Sequence, residues 1–201
     1  MNLKEKIKYP SCEVEDKKYC EKIVEKSIEK VEKEGIKIGE GKTADILVSE
    51  IDNKICIKAV QKKAKEEKIS CNDVEKEMFF IDQLSLKGYR VPKPVCSVKT
   101  ENNDYLFMET IGTKISIKDL LDDKTGELFQ QVFSDFNFNN FFQILNEEIK
   151  KMHEKEKIYH RDLHEGNIMI DEKGEPVIVD FGDAKMFFVS SEDPYRDNYV
   201  G

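Results

Sequence analysis

The 201-residue sequence has no run of about 18 apolar residues, which is the length that a membrane-spanning helix requires. Its first ten residues, MNLKEKIKYP, lack the apolar core of a secretory signal. We therefore expect a protein without a membrane span that is made in the cytoplasm, and export by a route that cleaves no signal stays open. The sequence also has no internal repeat and no low-complexity linker.

Cysteine is sparse and is not arranged for metal binding. The five cysteines are odd in number and scattered, with no C-x-x-C pair and no cysteine or histidine spacing typical of zinc sites. We expect all of them to be reduced thiols without a metal role. They are Cys12, Cys20, Cys56, Cys71 and Cys96.

The sequence has fewer basic than acidic residues: 33 Lys and Arg and 41 Asp and Glu give it a net charge of −8. A chain of this sign is repelled by nucleic acids and by anionic membranes, so we expect neither as a general partner. A local basic site stays open. The length suits one domain or two small lobes.

The spacing of apolar residues divides the first half of the chain into helical and strand-like segments. It predicts a helix over 13–34 that Gly35 ends, hairpin strands within 36–60, a helix over 72–87 and a strand over 105–111. The sequence Pro-Lys-Pro at 92–94 predicts an extended connection.

The second half of the chain predicts helices, followed by a hairpin in which NIMID and PVIVDFG flank the turn EKGE. Six of the twelve phenylalanines fall between residues 129 and 142. We expect them to fill a core, with a hydrophobic face for a partner as the alternative.

Two motifs of the second half carry the strongest functional signal. Residues 159–167 are YHRDLHEGN, which fits H-R-D-L-x-x-x-N, and residues 179–182 are VDFG, which contains D-F-G. On these motifs the chain resembles the protein-kinase-like superfamily. The resemblance implies an α+β, bilobal fold with a helical extension (1–35), a small β-rich N-lobe (36–111) and an abbreviated helical C-lobe (112–201).

The resemblance also implies a phosphoryl-transfer site. Such a site needs a carboxylate near the attacking hydroxyl and hard oxygen ligands for the metal that bridges the ATP phosphates. Asp162 is the implied catalytic residue, and Asn167 and Asp180 are the implied ligands of Mg²⁺ or Mn²⁺. The alternative is that Asp162 and Asn167 only cap a loop. His160 is expected to be structural.

A glycine-rich segment precedes these motifs. Residues 38–46, IGEGKTADI, resemble the loop G-x-G-x-x-G-x-V, with Ala44 at the third glycine and Ile46 at the valine. Glycine lets backbone N–H groups approach phosphate oxygens closely. The resemblance implies nucleotide contacts at five positions, Ile38, Gly39, Gly41, Ala44 and Ile46.

Residues 55–58, ICIK, match the strand whose lysine pairs with the α- and β-phosphates and needs a carboxylate on the next helix. Glu75 and Glu77 are the two candidates for that carboxylate. Glu77 is followed by apolar residues at the third, fourth and seventh places, whereas Glu75 has charged Asp82 at the seventh. We therefore predict that Lys58 pairs with Glu77, with two solvated glutamates as the alternative.

Residues 106–111, LFMETI, resemble the strand that leads into the hinge between kinase lobes. The resemblance implies that adenine bonds the backbone at Glu109 and Ile111, with Met108 at the back of the nucleotide site. These contacts use backbone groups, so the side chains leave the register open by one residue.

Two departures from the pattern bear on the substrate. Kinases of Ser and Thr usually carry Lys two residues after the catalytic Asp, where this chain has His164. The sequence His-Glu-Gly before Asn167 resembles small-molecule and atypical kinases, such as those of aminoglycosides, choline and the lipopolysaccharide core. Nineteen residues follow Gly182 without A-P-E, so regulation by activation-loop phosphorylation is not expected.

Compact effector kinases secreted by pathogenic bacteria have a glycine-rich loop much like IGEGKTADI and little chain after D-F-G. The small kinases of the tRNA-modification complex are likewise short. By this resemblance we expect a minimal Ser/Thr protein kinase with a protein substrate. An activating protein partner and delivery into a host cell are further expectations. A small-molecule kinase is the second hypothesis, although the chain leaves no residues for a large helical substrate lobe. A nucleotide-binding pseudokinase adaptor is the third, against which the intact motifs argue.

Overall fold

A computed structural model of the chain describes residues 3–11, 17–34, 39–40, 44–49, 52–61, 73–128 and 136–187. The chain forms two compact units. Unit 1 comprises residues 1–87 and 92–110, and unit 2 comprises residues 88–91 and 111–201. Both units contain helices and antiparallel strands, so the predicted α+β class is confirmed.

Unit 1 is built on a six-stranded antiparallel sheet. Its strands are β1 (Ile7–Lys8), β2 (Gly39–Glu40), β3 (Ala44–Val48), β4 (Ile55–Gln61), β5 (Pro94–Lys99) and β6 (Asn103–Glu109). Their spatial order is β1-β5-β6-β4-β3-β2. The long strands β4 and β6 therefore lie in the interior of the sheet, and β1 lies at one edge.

The hairpin predicted within residues 36–60 is confirmed by the pairing of β3 with β4. In the turn, the Asp52 carboxylate accepts a hydrogen bond from the Lys54 N–H at 2.9 Å. The Asp52 carbonyl accepts one from the Ile55 N–H at 3.0 Å. Such self-bonded turns are typical of aspartate, and this one starts β4 in its register.

The extended connection predicted around Pro92 leads into a strand, β5, that the sequence analysis did not predict. Pro94 is its first residue, a position where the missing N–H of proline is tolerated. A register shift follows between Pro94 and Cys96 in the pairing with β6. Because proline is uncommon in strands, the sequence pattern did not predict a strand that begins at Pro94.

Helix α1 (Lys17–Glu34) packs against the sheet and confirms the first predicted helix from residue 17 onward. Its buried residues Ile23, Val24 and Ile28 share one apolar cluster with alternate residues of the inner strands. The strand members are Ile55, Ile57, Ala59, Cys96, Val98, Tyr105 and Phe107. Tyr19 of the same helix is 43% exposed and donates its O–H to Asp52.

Phe107 is fully buried in this cluster and gives a direct test of the core. Phe107→Ala is expected to lower the free energy of unfolding by about 3–5 kcal/mol, because it removes apolar contacts and leaves a cavity. Leu121→Ala, at a side chain that is 72% exposed, is expected to change it by less than about 0.5 kcal/mol. Denaturant titration measures both variants, and equal losses would contradict this core.

Helix α2 (Val74–Leu86) confirms the helix predicted over 72–87 and packs on β5 and β6. It begins at Asp73, whose side chain accepts a hydrogen bond from the Glu75 N–H at 3.0 Å. This cap satisfies one of the open N–H groups of the first turn. The apolar residues that the helix buries are Val74, Met78, Phe80, Ile81 and Leu84.

In its described residues, unit 2 combines helices with short strands. Its elements are β7 (Ile115–Ser116), α3 (Ile117–Asp122), α4 (Phe138–Lys151), β8 (Ile158–Tyr159), β9 (Ile168–Ile170), β10 (Pro176–Ile178) and β11 (Lys185–Met186). Strands β9 and β10 form the predicted hairpin, which β7 extends to three strands, and β8 pairs with β11. The hairpin turn is closed by Asp171, whose carboxylate accepts the N–H groups of Lys173 and Glu175 at 2.8 Å.

The prediction that the clustered phenylalanines fill a core is partly wrong. Phe141 of α4 is fully buried, but Phe138 and Phe142 are 47% and 43% exposed. Their rings stack on each other with centroids 6.5 Å apart. Helix α4 buries only one stripe of its surface, and consecutive phenylalanines cannot share that stripe. Phe129 and Phe133 lie outside the described residues.

Of the cysteines in the described part of the chain, Cys20, Cys56 and Cys96 form no disulfide bond. Burial raises the pKa of Cys56 to about 12 and raises that of Cys96 as well. Cys12 and Cys71 lie outside the described residues. Among the helices that the structure describes, none is long and apolar enough to cross a membrane.

Candidate functional site

Lys58 and Glu77 form a buried ion pair in unit 1. Lys58 Nζ lies 2.7 Å from Glu77 Oε2, and the two side chains are 2% and 1% exposed. Successive strand residues alternate between faces, so Lys58 projects from β4 on the face opposite Ile57 and Ala59. Glu77 projects from the first turn of α2. Buried charges persist when they are paired, so each side chain fixes the position of the other.

Glu75, the other glutamate weighed for this role, has different partners. Its carboxylate lies 2.8 Å from Lys8 Nζ and 3.2 Å from Lys99 Nζ. Two residues along a helix correspond to a rotation of about 200°, so Glu75 and Glu77 project from nearly opposite sides of α2. Of the two candidates, Glu77 is the one that Lys58 contacts.

The predicted nucleotide-binding positions of the glycine-rich segment are described only in part. Gly39 pairs with Ile46 across β2 and β3, and Ile46 pairs with Lys58 across β3 and β4. Directly paired strand residues share a face, so half-buried Ile46 lies beside Lys58. Ala44 begins β3, two residues before Ile46. Ile38 and Gly41 lie outside the described residues.

The predicted hinge residues lie at the end of β6 and just after it. Met108 is buried, whereas Glu109 is exposed at the last position of the strand. The Glu109 N–H donates to the Lys93 carbonyl at 2.8 Å, and the Glu109 carbonyl accepts a hydrogen bond from Cys56 Sγ at 3.7 Å. A carbonyl oxygen has two lone pairs, so this carbonyl is still able to meet a ligand N–H. Half-buried Ile111 is the first residue of the second segment of unit 2.

In unit 2, His160 supports the loop that contains Asp162. Its Nε2 donates to the Val179 carbonyl at 2.8 Å, and its ring packs on Phe181 with centroids 4.7 Å apart. Burial lowers the pKa of His160, so the ring stays neutral with one N–H to donate. The side chain is 2% exposed and ties residue 160 to the segment that contains Asp180.

Asp162 and Asn167 are joined within this loop. The Asn167 amide Nδ2 donates to the Asp162 backbone carbonyl at 2.8 Å. The amide oxygen Oδ1 is the only side-chain atom of Asn167 that can ligate a cation, and this bond does not use it. The Asp162 side chain is 55% exposed, so its carboxylate is accessible to an acceptor. The loop-capping bond weighed as an alternative is therefore present for Asn167, and it leaves the side-chain oxygen available.

Two residues beside the loop adopt the left-handed conformation that L residues seldom occupy. Arg161 has φ = 69°, and Asp180 has φ = 65° and ψ = 67°. Such conformations persist where the surrounding structure imposes them, and they concentrate at functional sites. Asp180 directly precedes a short 3-10 turn, Phe181–Asp183.

His164 forms a contact that the sequence did not predict. Its Nδ1 accepts a hydrogen bond from the Gly166 N–H at 3.0 Å, and its Nε2 lies 3.9 Å from Asp162 Oδ2. A Cβ atom at Gly166 would lie 2.9 Å from the His164 ring, so glycine is needed for this approach. The only sequence signal for it was the unusual histidine two residues after Asp162.

The donor set of unit 2 suits a metal that arrives with a nucleotide. Within the described part of the chain, no three His, Cys, Asp or Glu side chains gather into a metal site. Magnesium bound to phosphates needs only one or two protein oxygens, because phosphates and water complete its octahedron. The Asn167 Oδ1 and the Asp180 carboxylate are hard oxygen donors of this kind.

The comparison with known proteins agrees with these motifs. No curated protein matches the chain. The family model of the protein kinase domain matches residues 32–201, which is well over half of the chain. This range includes Lys58 and Glu77 of unit 1 together with Asp162, Asn167 and Asp180 of unit 2. The chain therefore belongs to the protein kinase domain family, whose members transfer phosphate from ATP.

Proposed function

We propose that this chain is a minimal Ser/Thr protein kinase that transfers the γ-phosphate of Mg-ATP to a hydroxyl group of another protein. The observation that carries the proposal is the buried pair of Lys58 and Glu77, with 2.7 Å between Nζ and Oε2. A lysine buried only for stability gains little over an apolar residue. A lysine that binds phosphates must be held in a fixed position, and a buried carboxylate partner such as Glu77 does this.

Lys58 orients the nucleotide in this proposal. An ammonium group has three N–H donors, so Lys58 Nζ can donate to Glu77 and also meet phosphate oxygens of the nucleotide. The backbone of Gly39, Gly41 and Ala44 covers the phosphates, and Ile38 and Ile46 contact the nucleotide beside them. Met108, Glu109 and Ile111 receive the adenine, with the Glu109 carbonyl as acceptor.

Asp162 acts on the acceptor in this proposal. Its carboxylate orients the attacking hydroxyl and takes its proton as the new oxygen–phosphorus bond forms and the bond to ADP breaks. Asn167 and Asp180 hold Mg²⁺, or Mn²⁺ in its place, which neutralises the charge that develops on the phosphates. The bond from Asn167 Nδ2 to the Asp162 carbonyl couples the position of this ligand to that of the base.

A protein acceptor is supported by two observations. The matching family is that of the protein kinase domain, and the Asp162 carboxylate is 55% exposed, which suits an acceptor presented by a large partner. A requirement for an activating protein partner belongs to the same proposal. The hypothesis of a secreted effector rests on the glycine-rich segment, of which Ile38 and Gly41 lie outside the described residues.

A small-molecule acceptor is the second candidate, and His164 favours it. This residue stands where Ser/Thr kinases usually carry lysine, and its Nε2 lies 3.9 Å from Asp162 Oδ2. A pseudokinase adaptor is less well supported, because a chain that only binds a partner has no chemical need for Lys58, Asp162, Asn167 and Asp180 together.

Transfer of labelled γ-phosphate tests these hypotheses. Wild type and Asp162→Asn are incubated with Mg-ATP and, separately, with mixed cellular proteins and with a metabolite pool. We expect label on protein bands with wild type and a loss of at least about a hundredfold with Asp162→Asn, since removal of a general base has effects of this size.

Three other outcomes would change the proposal. Label on metabolites alone would identify a small-molecule kinase. ATP binding without transfer to any acceptor would identify an adaptor or a requirement for an activating partner. Equal transfer by wild type and Asp162→Asn would exclude Asp162 as the base.

A further inference from the structure

We propose that residues 3–11, here called the N-terminal strap, hold helix α2 in the position where Glu77 pairs with Lys58, and that Ser11 is the positioning residue of this strap. The inference rests on the proposed function, because it assigns the strap a role through the Lys58–Glu77 pair. All of the contacts involved lie within unit 1.

The strap is anchored to the sheet by strand pairing and by apolar contacts. Ile7 pairs with Val98 and Lys8 with Ser97, so β1 adds an edge strand to β5. The Ile7 side chain is buried in the apolar cluster beneath α1, and Leu3 and Tyr9 pack against that cluster. The middle of the strap is therefore held by the edge of the sheet.

From this anchor the strap contacts α2 at two points. Lys8 Nζ lies 2.8 Å from Glu75 Oε1 in the first turn of the helix. Farther along, the Ser11 N–H donates to Asp82 Oδ2 at 2.9 Å, and the Ser11 hydroxyl donates to the same oxygen. Glu77 lies between these two points, so a displacement of the helix that separates Glu77 from Lys58 must also break contacts of the strap.

The Ser11 contact has the larger expected effect of the two. Lys8 is 62% exposed, and exposed ion pairs contribute little. Asp82 is 4% exposed, and a buried carboxylate that loses its hydrogen bonds is strongly destabilised. Its other oxygen, Oδ1, has no hydrogen-bond partner among the described residues. The hydrogen bonds from Ser11 therefore offset part of the free-energy cost of burying the Asp82 carboxylate in this position.

The strap is a feature of this chain outside the family match. The kinase family model begins at residue 32, so it includes α2 and Lys58 but not residues 3–11. The strap contacts the matched region at β5 and α2. In the sequence, 71 residues separate Ser11 from Asp82. Its role must therefore be tested on this chain directly.

Substitutions at Ser11 provide a graded test in the full-length protein. Ser11→Ala removes the hydroxyl donor but keeps the N–H donor, and we expect kcat to fall by about tenfold, the effect of losing one hydrogen bond to a buried charged group. Ser11→Asp places a carboxylate against Asp82, and the loss should be larger. Ser11→Thr keeps the hydroxyl and should stay within about twofold of wild type. Lys6→Ala is the control and should keep wild-type kcat, since Lys6 forms no ion pair within the described part of the chain.

Coupling to Glu77 separates positioning from stability. All kcat values are measured well below the lowest Tm of the set, so that every variant is folded. If the strap acts through Glu77, Ser11→Ala lowers kcat in wild type but has no further effect in the Glu77→Gln background. A loss of equal size in both backgrounds would mean a role independent of Glu77 and would overturn the inference.

Two results distinguish failure of this inference from failure of the proposed function. If Asp162→Asn and Glu77→Gln lose activity while Ser11→Ala and Ser11→Asp keep wild-type kcat, the strap has no positioning role and the kinase assignment stands. If wild type transfers phosphate to no acceptor even with mixed cellular proteins present, the proposed function itself is wrong, and the role assigned to the strap is wrong with it.

Discussion

Asp180→Asn is expected to lower phosphate transfer by at least about a thousandfold while leaving the fold intact. A bound metal contributes several kcal/mol of charge stabilisation to phosphoryl transfer, and each 1.4 kcal/mol corresponds to a factor of about ten in rate. Asparagine is the suitable replacement because Asp180 has φ = 65°, a conformation that asparagine tolerates better than other non-glycine residues. The side-chain charge is thus removed without added backbone strain.

The measurement is kcat with Mg-ATP, together with Tm to verify the fold. Asp122→Asn removes the same charge from an exposed residue of unit 2 and should retain wild-type kcat. Turnover of Asp180→Asn equal to that of wild type would exclude Asp180 as a metal ligand. Equal losses in both variants would indicate a general effect of charge instead of a metal site.

Lys58→Met is expected to abolish most activity and also to destabilise unit 1. The substitution leaves Glu77, which is 1% exposed, as a buried carboxylate without its lysine. Breaking a buried pair in this way costs about 3–5 kcal/mol of unfolding free energy. We expect kcat to fall by at least about a hundredfold, with only a modest loss of ATP binding, because Lys58 orients phosphates and does not hold adenine.

The double variant Lys58→Met/Glu77→Leu separates these two effects. Replacing both partners of a buried ion pair by apolar residues is often neutral or stabilising, so the double variant should regain most of the lost stability. It should remain inactive, because the phosphates still lack their cation. Denaturant titration and kcat on the same preparations measure both effects. Recovery of activity together with stability would show that the pair is only structural.

The sequence predicted the parts of unit 1 that local patterns determine. The turn at Asp52 and the alternation of residues 55–60 place Lys58 on the face opposite the α1 cluster. The apolar residues that follow Glu77 indicate which side of α2 packs inward. These signals lie within a few residues of the groups that they position, so these features can be predicted from the sequence alone.

Other features could not be predicted because they depend on distant residues or on backbone conformation. A two-residue strand such as β1 is too short to show alternation, and Ser11 and Asp82 are separated by 71 residues. Positive φ values are uncommon for all residues except glycine, so nothing in the sequence indicates them at Arg161 and Asp180. The exposure of Phe142 beside buried Phe141 reflects the rotation of α4 and not its composition.

The position of β1 at the edge of the sheet has a consequence for self-association. A long edge strand offers unpaired N–H and C=O groups to other chains, and proteins suppress this hazard by covering such edges or keeping them short. Ile7 and Lys8 cover β5, and Lys8 adds a charge at that edge. A fragment that begins at residue 32, where the family match begins, would uncover β5 and expose the apolar cluster that α1 covers. We therefore expect a fragment that begins at residue 32 to self-associate more readily than the full chain.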